Sequence, residues 1–116
     1  MSSDIPKFEV QFTDTFKRQV RDLAKRYRQI KLDIQPILDQ LQNGDFVGDQ
    51  VQNTGYTVFK VRIKNSDTQR GKSGGYRLIY YIRTSEDILC LLIYSKSDED
   101  NVAATEIKKI IQEFYN

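Results

Sequence analysis

The stretch G-K-S-G-G-Y-R-L-I-Y-Y-I, residues 71–82, opens like a phosphate-binding loop and closes like the centre of a β-sheet. The two readings lead to different folds. A Walker loop, G-x-x-x-x-G-K-[ST], fits Gly71-Lys72-Ser73, but its first glycine falls on Ser66. Such a loop must also run into a helix whose N-terminus meets the phosphates, whereas Tyr76 onward is aromatic and aliphatic in the manner of a strand. The stretch therefore reads as a strand entered through a glycine turn. Gly71, Gly74 and Gly75 permit a tight, bulged return from the strand before it.

That preceding strand is Tyr56 to Lys64, which alternates cleanly. Thr57, Phe59, Val61 and Ile63 point one way and Tyr56, Val58, Lys60, Arg62 and Lys64 the other, because successive strand side chains alternate faces. Three cations thus form a stripe on one face, and the glycine return brings Arg77 beside it. A further strand from Ile88 to Ser95 completes an antiparallel meander of three.

Upstream, Phe8, Val10 and Phe12 alternate as a short first strand. Phe16, Val20, Leu23, Ala24 and Tyr27 fall at helical spacing in a helix starting near Thr13 or Asp14. Ile34, Ile37, Leu38 and Leu41 repeat the pattern, with Pro36 expected in the first turn and Gly44 at the C-terminal cap. Residues 44–55 are turn-rich and read as an irregular loop. Ile107, Ile110, Ile111 and Phe114 mark a last helix, starting between Asn101 and Thr105. The order β-α-α-β-β-β-α predicts an α+β fold, a mainly antiparallel four-stranded sheet with helices packed on one face.

Composition bounds what such a chain can do. Its 116 residues, 39% hydrophobic and 29% charged, suit a single domain spanning 1–116. The N-terminus has neither the basic region nor the apolar core of a secretory signal, and the longest apolar run, Ile88 to Tyr94, is too short for a membrane span. A cytoplasmic protein that does not engage the membrane is expected. The single cysteine, Cys90, lies inside that run and reads as a core residue. There is no histidine, so chemistry falls to Lys, Arg, Tyr or carboxylates, and neither metal nor small-molecule cofactor is expected.

The net charge of +2 hides a polarised chain. Seven basic residues lie between Lys60 and Arg83 against one acid, and seven more between Asp14 and Lys31 against Asp14 and Asp22. The other four basic residues share the chain with 13 acids. Basic segments of this kind face an anionic partner, either a nucleic acid or an acidic protein.

F-K-V-R-I at 59–63, S-G-G-Y-R-L-I-Y-Y-I at 73–82 and L-L-I-Y-S-K-S-D at 91–98 together resemble the RelE/HigB family of bacterial type II toxin-antitoxin toxins. The longer N-S-D-T-Q-R-G-K-S-G-G-Y-R-L-I-Y is most similar to the HigB branch, and the resemblance runs from Phe8 to about Phe114. It implies a RelE-like fold and a metal-independent endoribonuclease, an mRNA interferase that cuts mRNA on the ribosome and so inhibits translation. A cognate antitoxin protein is the implied partner, with mRNA and the ribosome as targets. Lys60 resembles the family's general base, Arg62 falls where a second cation orients phosphate, and Arg77 matches the arginine that stabilises the transition state. The nearest residues to the family's late arginine and base-stacking tyrosine are Lys96 and Tyr94, since the tyrosine's own place falls near Ala103. Lys64, Arg70 and Lys72 would bind RNA backbone.

The chemistry agrees with the resemblance. RNA carries its own nucleophile in the 2′-hydroxyl, so an enzyme need only remove that proton, align the reacting oxygens and stabilise phosphoryl charge. Clustered cations can do this, with repulsion lowering a lysine pKa and arginines gripping phosphate. Two other functions fit the same fold: a ParE-like toxin that inhibits DNA gyrase, against which Lys60, Arg62 and Arg77 argue, and a module that binds RNA or protein without cutting.

Overall fold

The computed structural model describes residues 7–68 and 74–115. Its elements are β1 (Glu9–Phe12), α1 (Asp14–Ala24), α2 (Ile30–Gln42), β2 (Asp49–Gln50), β3 (Val58–Ile63), β4 (Tyr76–Ile82), β5 (Asp87–Ser95) and α3 (Ala104–Phe114). They form one five-stranded sheet in the order β1-β5-β4-β3-β2. The α+β class and the β3-β4-β5 meander agree with the sequence reading. Three details do not.

The sheet has a fifth strand. Asp49 and Gln50, expected in an irregular loop, pair with Lys60 and Phe59. β1 joins the opposite side parallel to β5, with Phe12 beside Cys90. The sheet is therefore mixed.

The helices do not share one face. α1 and α2 send Phe16, Val20, Leu23, Ile30, Ile34 and Leu41 into a core with Val61, Ile63, Leu78 and Tyr80. α3 lies on the other side, where Ile107, Ile110 and Ile111 pack on Val58, Ile79, Leu91 and Leu92. The reason is visible in the strands: β3 to β5 carry apolar residues on both faces, and a sheet apolar on both sides needs cover on both. Each buried isoleucine of α3 contributes about 2 kcal/mol to that closure.

Pro36 lies inside α2 rather than in its first turn, because the helix begins at Ile30. The missing N–H would have bonded the Leu32 carbonyl. Leu32 is 71% exposed, so the lost bond falls on the solvent side, where it costs least. At the other end, Gly44 has φ +81°, its N–H donates to Leu41, and the Asp45 N–H donates to Gln40. These bonds close the helix in a Schellman motif that needs a left-handed residue at Gly44.

A bulge in β5 sets the side-chain faces. Ile79 pairs with Leu92 and Tyr80 with Cys90, so Leu91 is the extra residue. Two side chains of the α1 segment take up the displaced backbone groups. Thr13 caps α1 by accepting from the Phe16 N–H at 3.0 Å and donates its hydroxyl to the Leu91 carbonyl at 2.7 Å. Gln19 accepts from the Ile93 N–H at 2.9 Å. The insertion reverses the alternation: Ile88 and Cys90 face α1 and α2 before it, and Ile93 does so after it. Tyr94 consequently falls on the α3 side.

Gly75 marks the entry to β4. A Cβ there would lie 2.0 Å from the Ile63 carbonyl oxygen, and the Gly75 carbonyl accepts from the Lys96 N–H at 2.8 Å. Gly75→Ala should therefore lower unfolding stability by about 3 kcal/mol in urea titration. Cys90 is fully buried and burial pushes its thiol up to about 12. Iodoacetamide at pH 8 should leave it unmodified in the native protein and label it completely in denaturant. Above the ordinary thiol range only the unfolded chain ionises there, so this residue's contribution to stability falls as pH rises toward 12.

Candidate active site

The α3 side of the sheet carries Lys60 and Arg62 from β3, Arg77 from β4 and Tyr94 from β5. The register makes three of them a row: Arg62 pairs with Arg77, and Arg77 with Tyr94. Directly paired residues on one face have Cβ atoms about 5 Å apart. Two guanidinium side chains therefore start from adjacent points, with Lys60 one step along the same face.

The two arginines sit in different media. Arg62 is exposed, while Arg77 is only 5% exposed. The Arg77 Nη1 donates to the Tyr76 carbonyl at 3.2 Å. Burial, and next the facing Arg62, lower the Arg77 pKa, while Tyr94 works against them. A guanidinium starts so far above neutrality that it stays charged. The result is a fixed, partly desolvated cation beside a solvated one.

Lys60 is half-buried, and its Nζ donates to Asn101 Oδ1 at 3.3 Å. Lys96 leaves the end of β5 and binds Asp100 Oδ1 at 3.0 Å. Both lysines thus engage the segment that links β5 to α3. Its acids Asp98 and Asp100 fold back on cations, a contact that strand and helix periodicity does not report. A complementary charge run close to a cation stripe was the available signal.

Lys64 follows β3 and borders, with Arg62, a groove of about 260 Å³ against Leu32, Pro36 and Ile37 of α2. Arg70 and Lys72 lie outside the described residues. Tyr94 needs a correction. It was expected to stack on a base, but it is 6% exposed and belongs to the core with α3. Its hydroxyl is buried without a hydrogen-bond partner among the described residues. Burial raises its pKa, Arg77 lowers it and Glu99 raises it. Tyr94 is packing beside Arg77, not a platform open to a nucleobase. Ala103, at the tyrosine's expected place, is the exposed N-cap of α3.

The family model for the RelE toxin of the RelE / RelB toxin-antitoxin system matches residues 13–114. The chain belongs to this RelE toxin family. The match spans α1 through α3 and so includes every element that carries the cation face. No curated protein matches the chain. As a RelE toxin it pairs with an antitoxin in a toxin-antitoxin system. No helix among the described residues is long and apolar enough to cross a membrane.

Like charges placed directly opposite each other in a sheet destabilise it. In the RelE toxin, Arg62→Gln should raise unfolding stability by about 0.5 kcal/mol. The gain should shrink as salt is added, because Arg62 is exposed and its repulsion is screened.

Proposed function

We propose that this RelE-family toxin is an endoribonuclease that cuts mRNA, on the ribosome, and so stops translation until its antitoxin neutralises it. The observation that carries this reading is the cross-strand pairing of Arg62 with Arg77 on the face that also holds Lys60. Two adjacent guanidinium groups suit the non-bridging oxygens of one phosphodiester, which a planar fork of N–H donors can grip through two bonds at once.

In the reaction, the ribose 2′-oxygen attacks the neighbouring phosphorus and Lys60 Nζ accepts its proton. Arg77 and Arg62 bind the equatorial oxygens, where negative charge accumulates. The bond to the 5′-oxygen breaks as Lys96 supplies a proton to it. The products are a 2′,3′-cyclic phosphate and a 5′-hydroxyl, so atoms and protons balance without a cofactor. Burial of Arg77 strengthens its pull on the transition state, since a desolvated cation acts through a lower local dielectric. Lys64 extends the cationic track for the RNA backbone, and Arg70 and Lys72, which lie outside the described residues, are assigned to the same partner.

Expression of the toxin from a tightly controlled promoter, followed by mapping of new RNA 5′ ends, tests the proposal. Cuts should appear within translated messages. They should fall by at least about a thousandfold in the Lys60→Ala/Arg77→Ala variant, which loses the proton acceptor and the main charge stabiliser. Equal cutting by both forms would reject this site. Growth arrest without cuts, with inhibited supercoiling by gyrase in vitro, would establish the gyrase-inhibiting alternative instead.

A further inference from the structure

The loop 96–101, K-S-D-E-D-N, is tied down by cations from two other parts of the fold and by its own Lys96. Arg26, just past α1, holds both carboxylate oxygens of Asp98. Lys96 at the end of β5 holds the Asp100 carboxylate at 3.0 Å and its carbonyl at 3.4 Å. Lys60 of β3 donates to the Asn101 amide oxygen at 3.3 Å. Val102 then enters the core beside Val58, so the chain passes close to Lys60 before α3 begins. The hydroxyls of Ser95 and Ser97, 2.8 Å apart, and the bonds from the Asp98 and Glu99 N–H groups to the Ser95 carbonyl shape its start as a turn.

Lys60 and Lys96 are the two lysines to which the RNA reading assigns the proton transfers at the scissile phosphodiester, and both are already engaged by oxygens of the chain itself. An amide oxygen and a carboxylate are the neutral and charged mimics of what a phosphodiester would offer them. Asp100 is also weakly held: its side chain is 95% exposed, and a single exposed ion pair is easily exchanged. Asp98, gripped through both oxygens by a guanidinium, is the firmer attachment.

We infer that the 96–101 loop is an internal competitor for RNA, a latch anchored by Arg26–Asp98 that rests Asp100 and Asn101 on Lys96 and Lys60 until a phosphodiester displaces them. The inference rests on the reading of this face as the RNA site. It assigns the acids of this turn a regulatory part: they lower affinity for any strand that cannot offer phosphate at both lysines together.

The test uses the purified full-length toxin and a fluorescent RNA oligonucleotide with 2′-O-methyl sugars, which binds but lacks the nucleophile. Anisotropy at about 50 mM salt keeps electrostatic differences measurable. Asp98→Asn/Asp100→Asn should bind about tenfold more tightly than wild type. The control Glu9→Gln/Glu86→Gln, which removes the same charge elsewhere, should change affinity by less than about twofold.

Arg26→Ala separates the latch from net charge. Loss of a cation should weaken RNA binding by bulk electrostatics, whereas release of the anchor should tighten it, by about threefold. Tighter binding by Arg26→Ala supports the latch, and weaker or unchanged binding overturns it. Equal gains from the two carboxylate pairs would also overturn it, because they would reflect net charge alone. Wild-type affinity in Lys60→Ala/Arg77→Ala would overturn the RNA site and the latch with it. Loss of affinity there, with no gain in Asp98→Asn/Asp100→Asn, would overturn the latch only. Thermal unfolding of each variant confirms that native protein is compared with native protein.

Discussion

The bulge at Leu91, and the two side chains that satisfy it, set the geometry on which the cation face depends. An extra residue in a central strand leaves backbone groups that water cannot reach, and an unmet buried amide costs about 1–3 kcal/mol. Thr13 and Gln19 meet that demand from α1, at the Leu91 carbonyl and the Ile93 N–H. Without the insertion, strict alternation would turn position 94 toward α1 and leave Arg77 without its neighbour on β5. A cap at the start of one helix thus decides what stands beside an arginine in the middle strand of the sheet. The same hydroxyl both starts α1 and fastens it to β5, so helix register and strand register are set together.

On that frame the toxin holds charges that oppose folding. Arg62 and Arg77 face each other on paired strands, and Arg77 has been taken almost wholly out of water. Neither feature helps the sheet. They persist because the neighbouring positions are strongly apolar: Ile79 and Leu92 on the α3 side, Leu78 and Ile93 on the other, all at 1% exposure or less. A few isoleucines and leucines, each contributing about 2 kcal/mol on burial, offset a cation pair that costs less than one of them. Poised charge of this kind is expected where a site must meet an anion, since stability is given up at the place where binding restores it.

The meander and the cation stripe were legible from sequence because strand alternation is a local rule. Tyr56 to Lys64 needs no partner to reveal that Lys60 and Arg62 share a side. Gly75 was equally readable, since a glycine run before an aromatic strand has few other uses. The placement of α3 was not. Its stripe of Ile107, Ile110 and Ile111 says that one side is buried, but the second apolar sheet face it covers emerges only when three strands are assembled. β2 escaped for a different reason: two residues, Asp49 and Gln50, are too few to show any period. Tyr94 was misjudged because a bulge counts residues in a way that neither composition nor period records, so a tyrosine that looked available is enclosed. The contact of Asp98 with Arg26 was not legible either, because the two lie 72 positions apart and only the fold brings them together.

The connection between β5 and α3 joins these points physically. α3 must cross to the face opposite α1 and α2, so the chain leaving Ser95 has to pass the end of the sheet and turn onto the cation side before Val102 is buried. A short crossing segment over a cationic face will be drawn to it whatever its other duties, and a chain rich in acids there binds its own site. Replacing those acids with neutral residues would leave the crossing intact and the cations bare. Their presence therefore biases the resting toxin toward a covered site. The bias is small enough for a phosphodiester to reverse, because each contact is made at an exposed oxygen and only the Arg26–Asp98 anchor engages a carboxylate through both of its oxygens.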